Sequence, residues 1–280
     1  MSDSITFFKK DEITCPVCSE KFQRETLRTG RGRLIAGDLT AELRRLYEPT
    51  EKYGEIYPLV YTATVCPDCR YSALHTDFEA ISGDTVEKLS RESEKRKSSL
   101  DKIFPELDYR SSRRLEEGIA SYHYAMLSME HFPVDLTPTI KQGICALRAA
   151  WLLGDLHLKQ PDENYDYLRD VYYHKAWYFY MLALEYEENG KEGIIEGGHL
   201  GPDTDQNYGY DGVLYISAYL EFHHGPKDDP ERRLKSLQRA KTTLGRLFGH
   251  GKASKNKPST LLERAKDLHA AINKQLKEME

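Results

Sequence analysis

Two Cys-x-x-Cys pairs, Cys15-Pro16-Val17-Cys18 and Cys66-Pro67-Asp68-Cys69, constrain this chain more than any other feature. Tetrahedral zinc takes four soft ligands at about 2.3 Å, and each pair supplies two thiolates from one tight turn. Proline after the first cysteine stiffens that turn, whose backbone N–H groups can then point at the sulfurs. Four thiolates leave the metal no open coordination position, so the pattern predicts a structural zinc on Cys15, Cys18, Cys66 and Cys69. Thiol redox chemistry is the rival reading for one such pair, but it leaves the matching second pair without a role. The 47 residues between the pairs exceed the usual ~15–20 residue spacer, so the intervening segment must carry its own structure. Loop-closure entropy grows slowly with length and does not oppose such a spacing. The fifth cysteine, Cys145, lies on an apolar helix face and reads as a packing residue.

Around the two pairs the residues follow a recognisable order. Cys15 to Phe22 (CPVC-x3-F) is followed by an arginine-rich stretch through Arg28 and Arg33, then Asp38, Tyr47 and Pro58-Leu59-Val60-Tyr61. Val65-Cys66-Pro67-x-Cys69-x-Tyr71-x-Ala73 closes the pattern. This resembles the bacterial family known as domain of unknown function 2225, specifically over residues 13–80 and in general character over 110–250. The resemblance implies a two-knuckle cysteine head followed by tetratricopeptide-like helices. It implies a fold and a compartment, and supplies no activity. The chain departs from the pattern at Ser19 and Arg70, where glycine often follows the second cysteine of a knuckle.

Residues 1–82 read as a short-stranded, loop-rich, zinc-ribbon-like head. Alternation through Tyr57, Leu59, Tyr61 and Ala63 predicts a strand running into Cys66. Residues 83–280 change to helical periods, with helices expected at 85–100, 110–130, 138–159, 163–188, 211–223, 230–247 and 260–279. The last opens on Thr260 and Glu263 in capping-box spacing. Small and large residues recur in degenerate pairs, from Ala150, Gly154 and His157 to Ala176, Tyr180 and Ala183. These spacings resemble tetratricopeptide repeats. The fold expected is therefore mainly α: a tetratricopeptide-like helical array carrying a small zinc head.

Charge narrows the function classes. The formal charge is −5, which argues against a chain coated by nucleic acid. It hides a segregation: seven basic against three acidic residues in 21–45, four against eleven in 159–205, and fourteen against seven in 227–280. No run of 18 apolar residues occurs and the N-terminus lacks a signal-peptide core, so neither membrane nor secretion is expected and the reducing cytoplasm is the default compartment.

Three weaker signals remain. Arg28, Arg31 and Arg33, spaced by Gly30 and Gly32, could grip phosphate or nucleic acid, since glycines let backbone N–H groups and guanidinium forks converge on an anion. Against this, residues 1–83 hold 11 basic and 13 acidic residues and no aromatics interleave with the arginines. Asp203, Asp205, Asn207 and Asp211 have the look of a calcium loop, but the glycine falls a place late and Leu214 stands where a bidentate Glu is needed. A glycine-rich connector over 193–212 explains the same residues. Eleven of 19 tyrosines lie between Tyr165 and Tyr219. Tyr173, Trp177, Tyr180, Tyr215 and Tyr219 sit at helical spacing and could line a groove for a partner peptide. The acidic run Glu185, Glu187, Glu188, Glu192 and Glu196 beside them would favour a basic segment. Packing between helices is the plainer use of such a stripe. No Ser/His/Asp, G-x-S-x-G or H-E-x-x-H motif appears, so nothing in the sequence speaks for catalysis. The function expected is protein–protein interaction by a zinc-containing cytoplasmic adaptor, with phosphate or nucleic-acid binding by the basic loop as the alternative.

Overall fold

Three short antiparallel hairpins make the head. Thr6–Thr14 (β1) pairs with Lys21–Leu27 (β2), Ile35–Leu39 (β3) with Arg45–Glu48 (β4), and Ala63–Val65 (β5) with Ser72–Leu74 (β6). The turns of the first and third hairpins are the two cysteine pairs, so each knuckle is held open at its base by a strand ladder. The structure is a computed structural model and describes residues 5–194, 198–248 and 258–279. Within these, about half of the chain is helical and the sheets are small.

The strand expected over 57–65 forms only at its end. Pro58–Tyr61 is instead a 3-10 turn, with Leu59 and Val60 buried and the strand confined to Ala63–Val65. Pro58 sits at the start of that turn, where its missing N–H costs nothing, whereas a ladder position would lose a bond there.

Eight α-helices follow among the described residues: Gly83–Arg91 (α1), Ser93–Ser98 (α2), Leu115–Met129 (α3), Pro138–Lys159 (α4), Tyr165–Glu188 (α5), Gly209–His224 (α6), Pro230–Leu247 (α7) and Ser259–Met279 (α8). Pro138 and Pro230 stand in the first turns of α4 and α7, where a fixed φ favours helix entry. Asp229 caps α7 by accepting from the Arg232 N–H at 2.9 Å. The single helix expected over 85–100 breaks at Glu92, whose φ −92° and ψ 8° leave the helical region. The helix expected from 110 begins at Leu115, where Glu117 reaches back to the Arg114 N–H at 2.9 Å.

α4 is the spine: Ile140, Ile144, Cys145, Leu147, Leu152 and Leu156 are all buried. It packs between α3 and α5, and α3 also lies across β5 and β6. α6 packs on α5 and α7, and α7 on α8. Glycine makes two of these contacts close. A Cβ at Gly118 would lie 2.8 Å from Val60 Cγ2, and one at Gly143 would lie 2.8 Å from the Tyr180 ring. Buried residues form one continuous cluster from Cys15 and Phe22 through α4 to Ile272, crossing position 82 without a gap.

Candidate metal centre

Both knuckles have the same backbone plan. Cys15 N–H donates to Glu20 O at 2.8 Å and Ser19 N–H to Cys15 O at 2.9 Å; Cys66 N–H donates to Tyr71 O at 2.9 Å and Arg70 N–H to Cys66 O at 3.1 Å. That plan needs a left-handed residue after the second cysteine. Ser19 (φ 65°) and Arg70 (φ 57°) supply it without being glycine. Each non-glycine residue there carries about 1 kcal/mol of strain, sustained only because the surroundings hold it. Arg70 adds its own restraint, with Nη1 to Pro67 O and Nη2 to Leu107 O, both at 3.0 Å, and its guanidinium over the Tyr109 ring.

The four sulfurs all lie within 4.8 Å of one another. Cys15 and Cys69 Sγ are 3.7 Å apart, and Cys18 and Cys66 Sγ 3.5 Å. A tetrahedron with ~2.3 Å metal–sulfur bonds has edges of about 3.8 Å, so the cage fits a four-coordinate ion. All four are free thiols rather than disulfides. The electrostatics point the same way. Hydrogen bonds from Cys15 and Cys66 hold the Cys69 thiol far below its ordinary range, while the bonds Cys66 gives to Cys15 and Cys69 push its own pKa well up. A cation at the centre of the quartet would favour ionisation of all four thiols. Among the described residues no other group of His, Cys, Asp or Glu comes together as a metal site. His75 is not a ligand: its ring nitrogens bond Thr64 Oγ1 and Tyr61 O, both at 2.7 Å.

The residue that sequence reasoning missed is Arg96. It stands in the highly charged helical stretch, yet the break at Glu92 turns it inward to 3 % exposure. Its Nε and Nη2 donate to Cys69 O at 3.2 and 3.0 Å, and Nη1 to Leu89 O at 3.1 Å. A buried guanidinium on the second knuckle would oppose the net negative charge of a metal held there by four thiolates. Cys145 is fully buried, and burial pushes its thiol up to about 12.

The other predicted residues disperse. Arg28 lies over the Phe7 ring, Arg33 Nη1 bonds Gly30 O at 3.2 Å, and Arg31 is exposed with φ 52°. Asp203 accepts from the Arg45 N–H at 2.8 Å, Asp205 pairs with Arg45 at 3.1 Å, and Asn207 accepts from the Leu200 and Gly209 N–H groups. These oxygens hold the connector together instead of converging on an ion. In the acidic run, Glu192 is buried on Thr139, Glu187 accepts from Ile194 N–H and Glu188 pairs with Arg246 at 2.5 Å; Glu196 and Gly197 lie outside the described residues.

Much of the tyrosine stripe is taken up by packing, the plainer of its two readings. Tyr180 and Tyr215 are 0 % and 1 % exposed and belong to the core. Trp177 Nε1 is spent on Glu221 at 2.6 Å. The space beside Tyr173, Tyr215 and Tyr219 is filled by the tip of the β3–β4 hairpin. Glu42 takes hydrogen bonds from Tyr173 Oη at 3.0 Å and from Trp151 Nε1, Tyr215 Oη donates to Ala41 O at 2.6 Å, and Arg44 pairs with Asp155. Leu43 beside them is fully buried at φ 60°, a left-handed conformation that leucine adopts only under constraint.

Comparison with known proteins agrees over nearly the whole length. The chain is 45 % identical over 276 residues to an uncharacterized protein of Borreliella burgdorferi, covering 98 % of this chain and 99 % of that one. No solved structure matches. A family model described as uncharacterized protein conserved in bacteria (DUF2225) matches residues 7–272, and with that span and that relative the chain belongs to this family.

Proposed function

We propose that the protein is a cytoplasmic adaptor whose cysteine cage holds structural zinc and whose helical body binds another protein. Saturated thiolate coordination supports a structural metal, because no position is left for substrate. The consecutive pairs α4–α5 and α6–α7, each joined by a short turn, support a tetratricopeptide-like arrangement. The absence, among the described residues, of a helix long and apolar enough to cross a membrane is compatible with the cytoplasm.

The partner surface is the outer face of α5, not the tyrosine groove already filled by the head. One observation carries this: Tyr167 and Tyr178 are 68 % and 54 % exposed. They stand eleven residues apart, close to three helical turns, so they share a face. His174 and Glu185 fall on the same exposed stripe, and Leu158 at the end of α4 is 81 % exposed. Exposed aromatic anchors at this spacing suit a helical partner segment. A photo-crosslinking residue placed at Tyr178, and separately at Tyr167, should give the same discrete adduct in the living bacterium, absent when it is placed at exposed Lys10 on β1 of the head. Adducts from neither tyrosine would overturn the reading.

A further inference from the structure

A cavity of about 750 Å³ opens where the head meets the helical body. That is within the ~300–1,000 Å³ range of small-molecule sites, which favour such junctions. Strand β2, the 3-10 turn, the end of β6, α4 and the loop after Gly198 all contribute to it. Much of the wall is apolar, from Leu27, Leu34, Leu74 and Leu136.

Arg148 is the informative group. It lines the cavity from α4 at 4 % exposure. Among the described residues its partners are all neutral oxygens: Pro202 O at 2.8 Å, Gly201 O at 3.3 Å, Asp203 O at 3.4 Å and Thr62 Oγ1 at 3.5 Å. The Asp203 carboxylate is turned away to the Arg45 and Thr204 N–H groups. The other lining charges are already matched or at the rim. Lys141 and Asp77 pair at 2.8 Å with both nearly buried, Asp205 is taken by Arg45, and Asp135 is exposed. A buried guanidinium with hydrogen bonds but no counter-charge is costly, and an anionic group would offset that cost. Burial first, and then Arg148, lower His199 on the same wall, against the opposing charges of Asp205 and Asp203. The loop between β2 and β3 supplies Thr29 and Leu34 to the cavity wall.

We infer that this cavity binds a small amphiphilic anion, with a carboxylate, phosphate or sulfonate head directed to Arg148 and an apolar body against the leucines. The site is independent of the α5 surface, and either can fail without the other.

Fluorescence titration of the full chain, purified with its metal, tests it with anilinonaphthalene sulfonate as the anionic probe and uncharged phenylnaphthylamine as the control. One saturable site for the anionic probe is expected. Thr76→Trp, which fills the cavity from an exposed position, should weaken both probes about tenfold. Arg148→Met should weaken the anionic probe about tenfold and leave the neutral one within about twofold, whereas Arg148→Lys should retain the anionic probe. Octanoate and octyl phosphate then compete for the site, and whichever displaces the probe identifies the head group. The inference is overturned if the wild type shows no saturable site, if Thr76→Trp changes nothing, or if neither competitor displaces the probe. Equal response of both probes to Arg148→Met also overturns it. Should Arg148→Met fail to fold, Thr76→Trp and the competitors still decide.

Discussion

Each ligand of the cysteine cage is single-purpose, and so is its loss. Replacing Cys69 by Ser leaves three of the four thiol ligands, so bound metal should fall below stoichiometric in elemental analysis. Apparent structural-zinc energies of ~10–16 kcal/mol exceed what two short hairpins can supply, so the near-UV circular dichroism of the head should be lost with it. Arg96→Met should keep the ligands yet weaken metal retention against a chelator by about 10–100-fold, the usual effect of removing an outer-sphere partner. Glu42 gives a pH signature. Burial raises its pKa above the ordinary 4.5, against hydrogen bonds from Trp151 and Tyr173 and the charge of Arg44. The folded chain therefore holds that proton more tightly than the unfolded chain. Stability contributed at this position is greatest below the unfolded value and declines as pH rises to the folded one. Comparing urea midpoints of the wild type and Glu42→Gln across that interval should show a falling difference that levels off above it.

Helix boundaries were legible wherever a local rule decided them. α4 and α7 begin at Pro138 and Pro230 and match the expected ranges, since periodicity and a fixed φ agree there. Misreadings fell where burial overrode pattern. Tyr57 to Ala63 alternates like a strand, but Leu59 and Val60 are buried together, which a two-faced strand on a small sheet does not provide. Arg96 was invisible because only the break at Glu92 turns it inward. The glycines inside helices were equally silent, yet they set how closely α3 and α4 approach their neighbours. Gly143→Ala would drive a methyl into the Tyr180 ring, and Gly118→Ala another into Val60. Each should destabilise by about 1–3 kcal/mol in chemical denaturation, despite the better helix propensity of alanine.

Across the whole molecule, the cysteine pattern named the four thiols that the fold brings together, because each knuckle is local and only their pairing is long-range. What fills the tyrosine groove was not legible: Tyr215 and Ala41 are 174 residues apart, and nothing in either segment names the other. Removing residues 1–82 would bare the faces of α3 and α4 that the head now covers. Residues 83–280 expressed alone should melt without a cooperative transition and bind hydrophobic dyes, as calorimetry and fluorescence would record. The same hairpin tip has a consequence for biosynthesis. Arg44 waits for Asp155, Ala41 for Tyr215, and Leu39 for Arg264, 225 residues later. A ribosome delivers the head first, yet its tip finds its last partner only once α8 has emerged. The earliest segment made is among the last to be finished.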